Sequence, residues 1–348
     1  MEFGVNSDDG FLVGAGFSRK THGFRNQPYS TFQNFSGLYS LSRRSFKFIY
    51  SGEFNHVVRD YDLLLNGDFG YPTVANFFGL GNTTQVPSTP DYDYYRSRYR
   101  TVELQALIRK RFYERLQIMG GPYFYHYWNK YIDNDTKILG KPSDVGLDSM
   151  EIYTPMAYLG GKVAVRFDNR NTNIFPTRGV LWHTEFIAAA GINDNSNTFT
   201  RLSSDMTIYA SLRDPAQVVA VVGLGGGKIF NDDYAFYQAM TIGVGKNLHG
   251  FRKNRYSGQS SAYGSVELRV KLFELKSYFL PGPIGLTGFY DIGRVWVKGE
   301  DSNIWHSAYG GGFYFIPFNM FMVSASIGFS AQEHLFNLSL GTKINLTF

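Results

Sequence analysis

The stretch SAYGSVELRVKLFE, residues 261–274, sorts its side chains by parity. Val266, Leu268, Val270 and Leu272 fall on one side, and Ser265, Glu267, Arg269 and Lys271 on the other. A period of two is that of a β-strand, whose successive side chains point to opposite faces. Charges alternating with aliphatics over so many residues predict one polar and one apolar face, each continuous. The terminal segment HLFNLSLGTKINLTF, residues 334–348, repeats the pattern with Phe336, Leu338, Leu340, Thr342, Ile344, Leu346 and Phe348 in phase. Strands of soluble domains run about five or six residues, and fifteen alternating ones suit a strand that crosses a membrane.

The same division holds elsewhere. Phe46, Phe48, Tyr50 and Phe54 oppose Lys47, Ser51 and Glu53, and Val102, Leu104, Ala106 and Ile108 oppose Glu103, Gln105 and Arg109. About sixteen such segments follow one another from residue 1 to residue 348, separated by turn residues. The economical fold is all-β: a transmembrane antiparallel β-barrel of about 16 strands, closed so that no edge is left unpaired in lipid. The connections at 71–97, 130–157 and 231–260 are long and all fall on one side of the wall, while the others are short, as membrane barrels arrange them. Without a linker or a change in composition, residues 1–348 read as a single outer-membrane barrel domain. Met1 leads straight into strand-like sequence, which suggests a piece of a longer secreted precursor whose N-terminal periplasmic region is absent from this chain.

Composition agrees with many strands and turns. The 348 residues include 38 glycines, 25 tyrosines and 31 phenylalanines, with 17% aromatics and no cysteine. Mean hydropathy is −0.22, and no run approaches the roughly 20 apolar residues of a membrane helix. A helical membrane protein is excluded. The net charge of +5 and the arginines of 96–100 and 109–112 invite comparison with single-strand nucleic-acid binders, but they fall in alternating strands, so no nucleic-acid partner is expected. The seven histidines show no metal-ligand spacing, and neither a metal nor a cofactor is expected. GLGGGK (223–228) lacks the ending of a phosphate loop and reads as a glycine-rich strand that another segment approaches closely. His183 and Glu185 share a strand face, as in a barrel hydrolase, but no nucleophile accompanies them. No catalytic residues are assigned and the chain is not expected to be an enzyme.

Three stretches carry more information. In FDNRNTNIFPTRG (167–179), Asp168 and Arg170 end a strand and Pro176 to Gly179 form a tight turn. NLHGFRKNRYSG (247–258) lies in a loop too long to be structureless, and its aromatic and basic content predicts that it is folded inward. In GFYDIGRVW (288–296), Phe289 and Asp291 face the lumen among apolar neighbours, and a buried carboxylate requires a donor.

Together these stretches resemble the bacterial surface antigen superfamily of BamA- and TamA-like outer-membrane barrels. Leu248, His249, Gly250 and Phe251 match its lumen-loop motif, and Phe289, Asp291 and Gly293 match the partner strand. Asp168, Arg170, Pro176 and Gly179 match its D-x-R followed by P-x-x-G. Gly341, Ile344, Leu346 and Phe348 resemble its C-terminal signal, on the strand that closes the seam against the first. His249 stands where the family has arginine, so the usual guanidinium bridge cannot form as written, and Arg252 or Arg255 is expected to replace it at Asp291. The segments at 7–17 and 77–82 resemble a Bacteroidota-type subgroup.

The resemblance implies a bacterial outer-membrane location, contact with outer-membrane lipid, and a role in assembly, insertion or translocation of proteins through a seam between the first and last strands. The partners implied are unfolded outer-membrane protein clients or a periplasmic domain. The alternative is a membrane anchor or export barrel for a missing N-terminal phosphoesterase or patatin-like domain.

Overall fold

The computed structural model describes residues 2–6, 10–23, 29–86, 91–244 and 248–341. The strands are β1 (Glu2–Asn6), β2 (Gly10–Thr21), β3 (Thr31–Ser40), β4 (Ser45–Val58), β5 (Tyr61–Asn76), β6 (Arg96–Phe112), β7 (Leu116–Trp128), β8 (Met156–Asp168) and β9 (Gly179–Gly191). They continue as β10 (Phe199–Ala210), β11 (Val218–Ile229), the short β12 (Met240–Ile242) and β13 (Tyr256–Gly258), then β14 (Ser260–Leu275), β15 (Gly282–Trp296), β16 (His306–Phe315), β17 (Met322–Ser330) and β18 (His334–Gly341). Among the described residues, sixteen of these form one sheet in which each strand pairs with the next, and β12 and β13 form a separate pair. The sheet curls until β1 and β18 lie within 8 Å of each other.

Alternation decides which face looks where. On β14, Val266, Leu268 and Leu272 are about half exposed on the outer surface. From the opposite face, Glu267 pairs with Arg269 at 2.9 Å and accepts a hydrogen bond from Thr287 at 2.6 Å, so its charge is balanced inside the lumen. Burying an unpaired charge would cost several kcal/mol, and the wall avoids it by pairing along and across strands. At one end the strands are joined tightly, as at Tyr113 and Glu114, both with positive φ. At the other, long connections span 77–95, 129–155 and 230–259.

One expectation is revised, and another falls outside the described residues. β5 does not stop at residue 70: it continues to Asn76 across a register shift between Gly70 and Thr73. Pro72 lies inside that irregularity, where a missing N–H costs no ladder bond. The terminal strand is described as far as Gly341, and the expected signal residues Ile344, Leu346 and Phe348 lie outside the described residues.

The glycine-rich segment of β11 behaves as expected. A side chain on Gly227 would collide with Met240 of β12, and one on Gly225 with the Tyr263 ring. The bare backbone is what lets the 230–259 loop lie against the inner wall. Above it the long loops meet in a buried cluster that includes Phe77, Phe78, Tyr95, Leu139, Ile152 and Phe236.

Candidate functional site

The 230–259 loop enters the lumen as the two-stranded β12–β13 ribbon and turns at Leu248–Phe251. Leu248 and Phe251 are fully buried beside Val295 and Ala308 of the wall. Gly293 is the complement of Leu248, since a Cβ there would lie 2.9 Å from the Leu248 side chain. Gly250 approaches β16 and β17 so closely that a Cβ would stand 2.7 Å from that of Ala308. From the other side, a Cβ on Gly328 would meet the His249 carbonyl at 2.7 Å and the Gly250 Cα at 2.9 Å. Two glycines thus place the loop backbone directly on the wall.

Asp291 is completely buried and is served from three directions. The His249 backbone N–H donates to its Oδ2 at 2.8 Å, the His249 Nδ1 lies 2.8 Å from the same oxygen, and Ser265 Oγ donates to Oδ1 at 2.6 Å. The Phe289 ring lies 4.5 Å from the imidazole, centroid to centroid. Burial lowers the His249 pKa, but the hydrogen bond and charge of Asp291 outweigh it and leave the imidazole above its ordinary value. Asn337 on β18 donates to the His249 carbonyl at 2.9 Å. The loop tip therefore touches every strand from β15 to β18.

His249 makes the contact with Asp291 itself, which corrects the expectation that an arginine further along would take over. Arg255 is 2% exposed and donates to Thr84 Oγ1 and carbonyl at 2.7 and 2.6 Å and to Gln332 at 3.0 Å. Arg252 pairs with Glu333 at 3.3 Å, with its guanidinium 3.3 Å from the centre of the Tyr92 ring, and Tyr92 donates to the same carboxylate at 2.8 Å. The two arginines tie the loop to the 77–95 connection and to the turn before β18. Leu80 bridges Ser257 in parallel, and Asn82 bonds both the N–H and the C=O of Val295, so the 77–95 connection is stitched to β13 and β15.

At the opposite mouth Asp168 receives Arg170 in a two-pronged pair at 2.8 Å on each oxygen, with Arg166 at 2.9 Å. Gly179 has φ +113°, and a Cβ there would lie 2.6 Å from the Asn169 carbonyl, which accounts for the glycine. Pro176 precedes it in the turn. Within that turn Phe175 reaches Tyr314 of β16 at 4.9 Å and lies 5.3 Å from the Arg269 guanidinium, partly covering the opening. Sequence reasoning did not single out Phe175, Tyr92, Glu333 or Asn337. Each gains its meaning from a partner more than 80 residues away, apart from the inward parity of Asn337.

Glu185, set beside His183 at 3.8 Å, is held by Lys162 at 2.8 Å and Arg201 at 3.3 Å, the surroundings of a structural carboxylate. Among the described residues no three His, Asp or Glu side chains converge as metal ligands. The arrangement clamps a loop to a wall.

Residues 159–339 match the family model described as the Omp85 superfamily domain, just over half of the chain. No curated protein sequence matches it. Among solved structures, BamA from Haemophilus ducreyi lacking POTRA domains 1-3 is similar over 98% of this chain and 69% of its own, at 14% identity and a TM-score of 0.69. CdiB from Acinetobacter baumannii is similar over 97% and 58%, at 14% identity and 0.57. CdiB from Escherichia coli is similar over 98% and 62%, at 13% and 0.56. The chain spans less than two thirds of the two CdiB chains, and at such identities the likeness establishes the fold.

Proposed function

Because the chain belongs to the Omp85 superfamily, we propose that residues 1–348 act as one outer-membrane barrel domain that inserts or translocates protein clients through the seam between β1 and β18. The observation that carries this reading is the inequality of the two sides of the seam. On one side the loop tip grips β15 to β18, through Asp291, Gly293, Ala308, Gly328 and Asn337. On the other, β1 pairs with β2, and none of these loop contacts falls on it. Among the described residues no ladder joins β1 to β18. A braced edge facing one that no ladder closes suits templating of an incoming strand by β-augmentation.

The clients proposed are unfolded outer-membrane proteins, recognised by backbone pairing and by alternation that matches the wall. The test is reconstitution in phospholipid vesicles with a urea-unfolded outer-membrane barrel as client. Faster insertion than in empty vesicles supports the reading. Insertion no faster than in vesicles carrying an unrelated barrel contradicts it, and directs attention to an anchoring role.

A further inference from the structure

The outer surface of β4 to β8 departs from a uniform apolar band. Paired residues share a face, and the register aligns Tyr50, Gly67, Leu104, Phe124 and Leu159 in one outward row. The next row runs through Leu65 and Ala106 to Pro122 and Gly161. Gly67, Ala106 and Pro122 leave a floor without bulk, and Phe48, Phe69, Leu104, Phe124 and Leu159 stand around it. The hollow measures about 680 Å³, within the roughly 300–1,000 Å³ of small-molecule sites. Its cause is local: Pro122 has no N–H, and the β6–β7 ladder pairs Gln105 with Tyr123 and Ile108 with Gly120 but lapses between them.

Towards the long loops, the same strands end in cations and aromatics. On the outward face of β6, Arg100 lies four residues beyond Leu104, about 13 Å at the rise of a strand and close to half the thickness of a hydrocarbon core. Arg100 packs over Tyr71 at 5.0 Å, pairs with Asp133 at 2.8 Å and is opposite Trp128 in the register. Arg98 donates to the Arg43 carbonyl at 2.5 Å and takes the Asn134 side chain on its backbone N–H, which joins the β3–β4 turn to this rim. Arg44 and Lys130 are exposed beside them. Asp93 serves Arg43, Arg96 and Lys137 together, so the rim keeps an excess of positive charge.

We propose that this face binds a phosphate-bearing membrane lipid, with its headgroup on Arg43, Arg44, Arg98 and Lys130 and one acyl chain in the hollow between β4 and β8. Charge and depth agree: the cations stand at a membrane surface, and the hollow lies in the hydrocarbon beneath them. Guanidinium groups match phosphate oxygens in pairs, and the aromatic rim fixes the depth.

The test titrates the purified protein in neutral detergent with lipid A, phosphatidylglycerol or phosphatidylcholine and counts adducts by native mass spectrometry. The phosphate-rich lipid A should bind best and zwitterionic phosphatidylcholine least. Removing three of the rim cations together (Arg43→Ala, Arg44→Ala, Lys130→Ala) should weaken lipid A by at least about tenfold. Ala106→Phe, which fills the hollow from the lipid side, should weaken it as well, in protein whose heat-modifiable migration certifies a folded barrel. Inorganic phosphate should compete poorly, because it cannot use the hollow. Equal binding of all three lipids, indifference to the triple substitution, or displacement by millimolar phosphate would each overturn the proposal.

Discussion

At the scale of single residues, the loop rests on a buried carboxylate whose Oδ2 finds its donors in the loop, while Ser265 of the wall serves Oδ1. Asp291→Ala should cost about 1.5–3 kcal/mol of docking for each charge-assisted hydrogen bond lost, measured as faster proteolysis of the loop or a lower unfolding temperature. Histidine at 249 adds a pH dependence that arginine would not. Docking raises the imidazole pKa above its ordinary 6.5, so the docked form binds the proton more tightly than the free loop. The added stability is fully present below pH 6.5 and fades as pH rises through the higher docked value, leaving the backbone N–H bond. Proteolysis of the loop should therefore accelerate on the alkaline side, and His249→Arg should remove that dependence. Gly328→Ala forces a methyl group into the His249 carbonyl and should weaken docking by about 1–3 kcal/mol. The motif residues were legible because they are polar or small where neighbours are apolar. The substitute for arginine was not, because half of what His249 gives Asp291 comes from its backbone, which no side-chain pattern reveals.

At the scale of elements, periodicity identified the strands well wherever both faces are strongly distinct, as in β6 and β14. It missed the extension of β5 beyond residue 70, because Pro72 reads as a stop until a bulge absorbs it. It also missed β12 and β13, whose three residues each are too few to show a period. The lumen is narrowed by contacts between such elements: the 77–95 connection joins β13 through Leu80 and Ser257, and Phe175 meets Tyr314 at the other mouth. With the loop tucked in, planar bilayers should register small, intermittent currents. Excision of residues 244–255 should open a large steady conductance, and no increase on excision would mean that the plug lies elsewhere.

At the scale of the whole molecule, sixteen strands in sequential order make an outer-membrane wall that is unequal around its circumference. Between β15 and β18 the wall is braced from inside by a loop. At β1 none of those contacts is made, and among the described residues no ladder closes it against β18. The inequality was not visible in the sequence, because the bracing depends on contacts such as Asn337 to His249, 88 residues apart. The direct measurement is a reversible lock, with cysteine pairs scanned between Glu2–Asn6 and His334–Gly341 and the best-forming disulfide carried into vesicles with an unfolded barrel client. Insertion should fall to the background of empty vesicles in the oxidised protein and return on reduction. Undiminished insertion with the seam fully crosslinked would contradict the account.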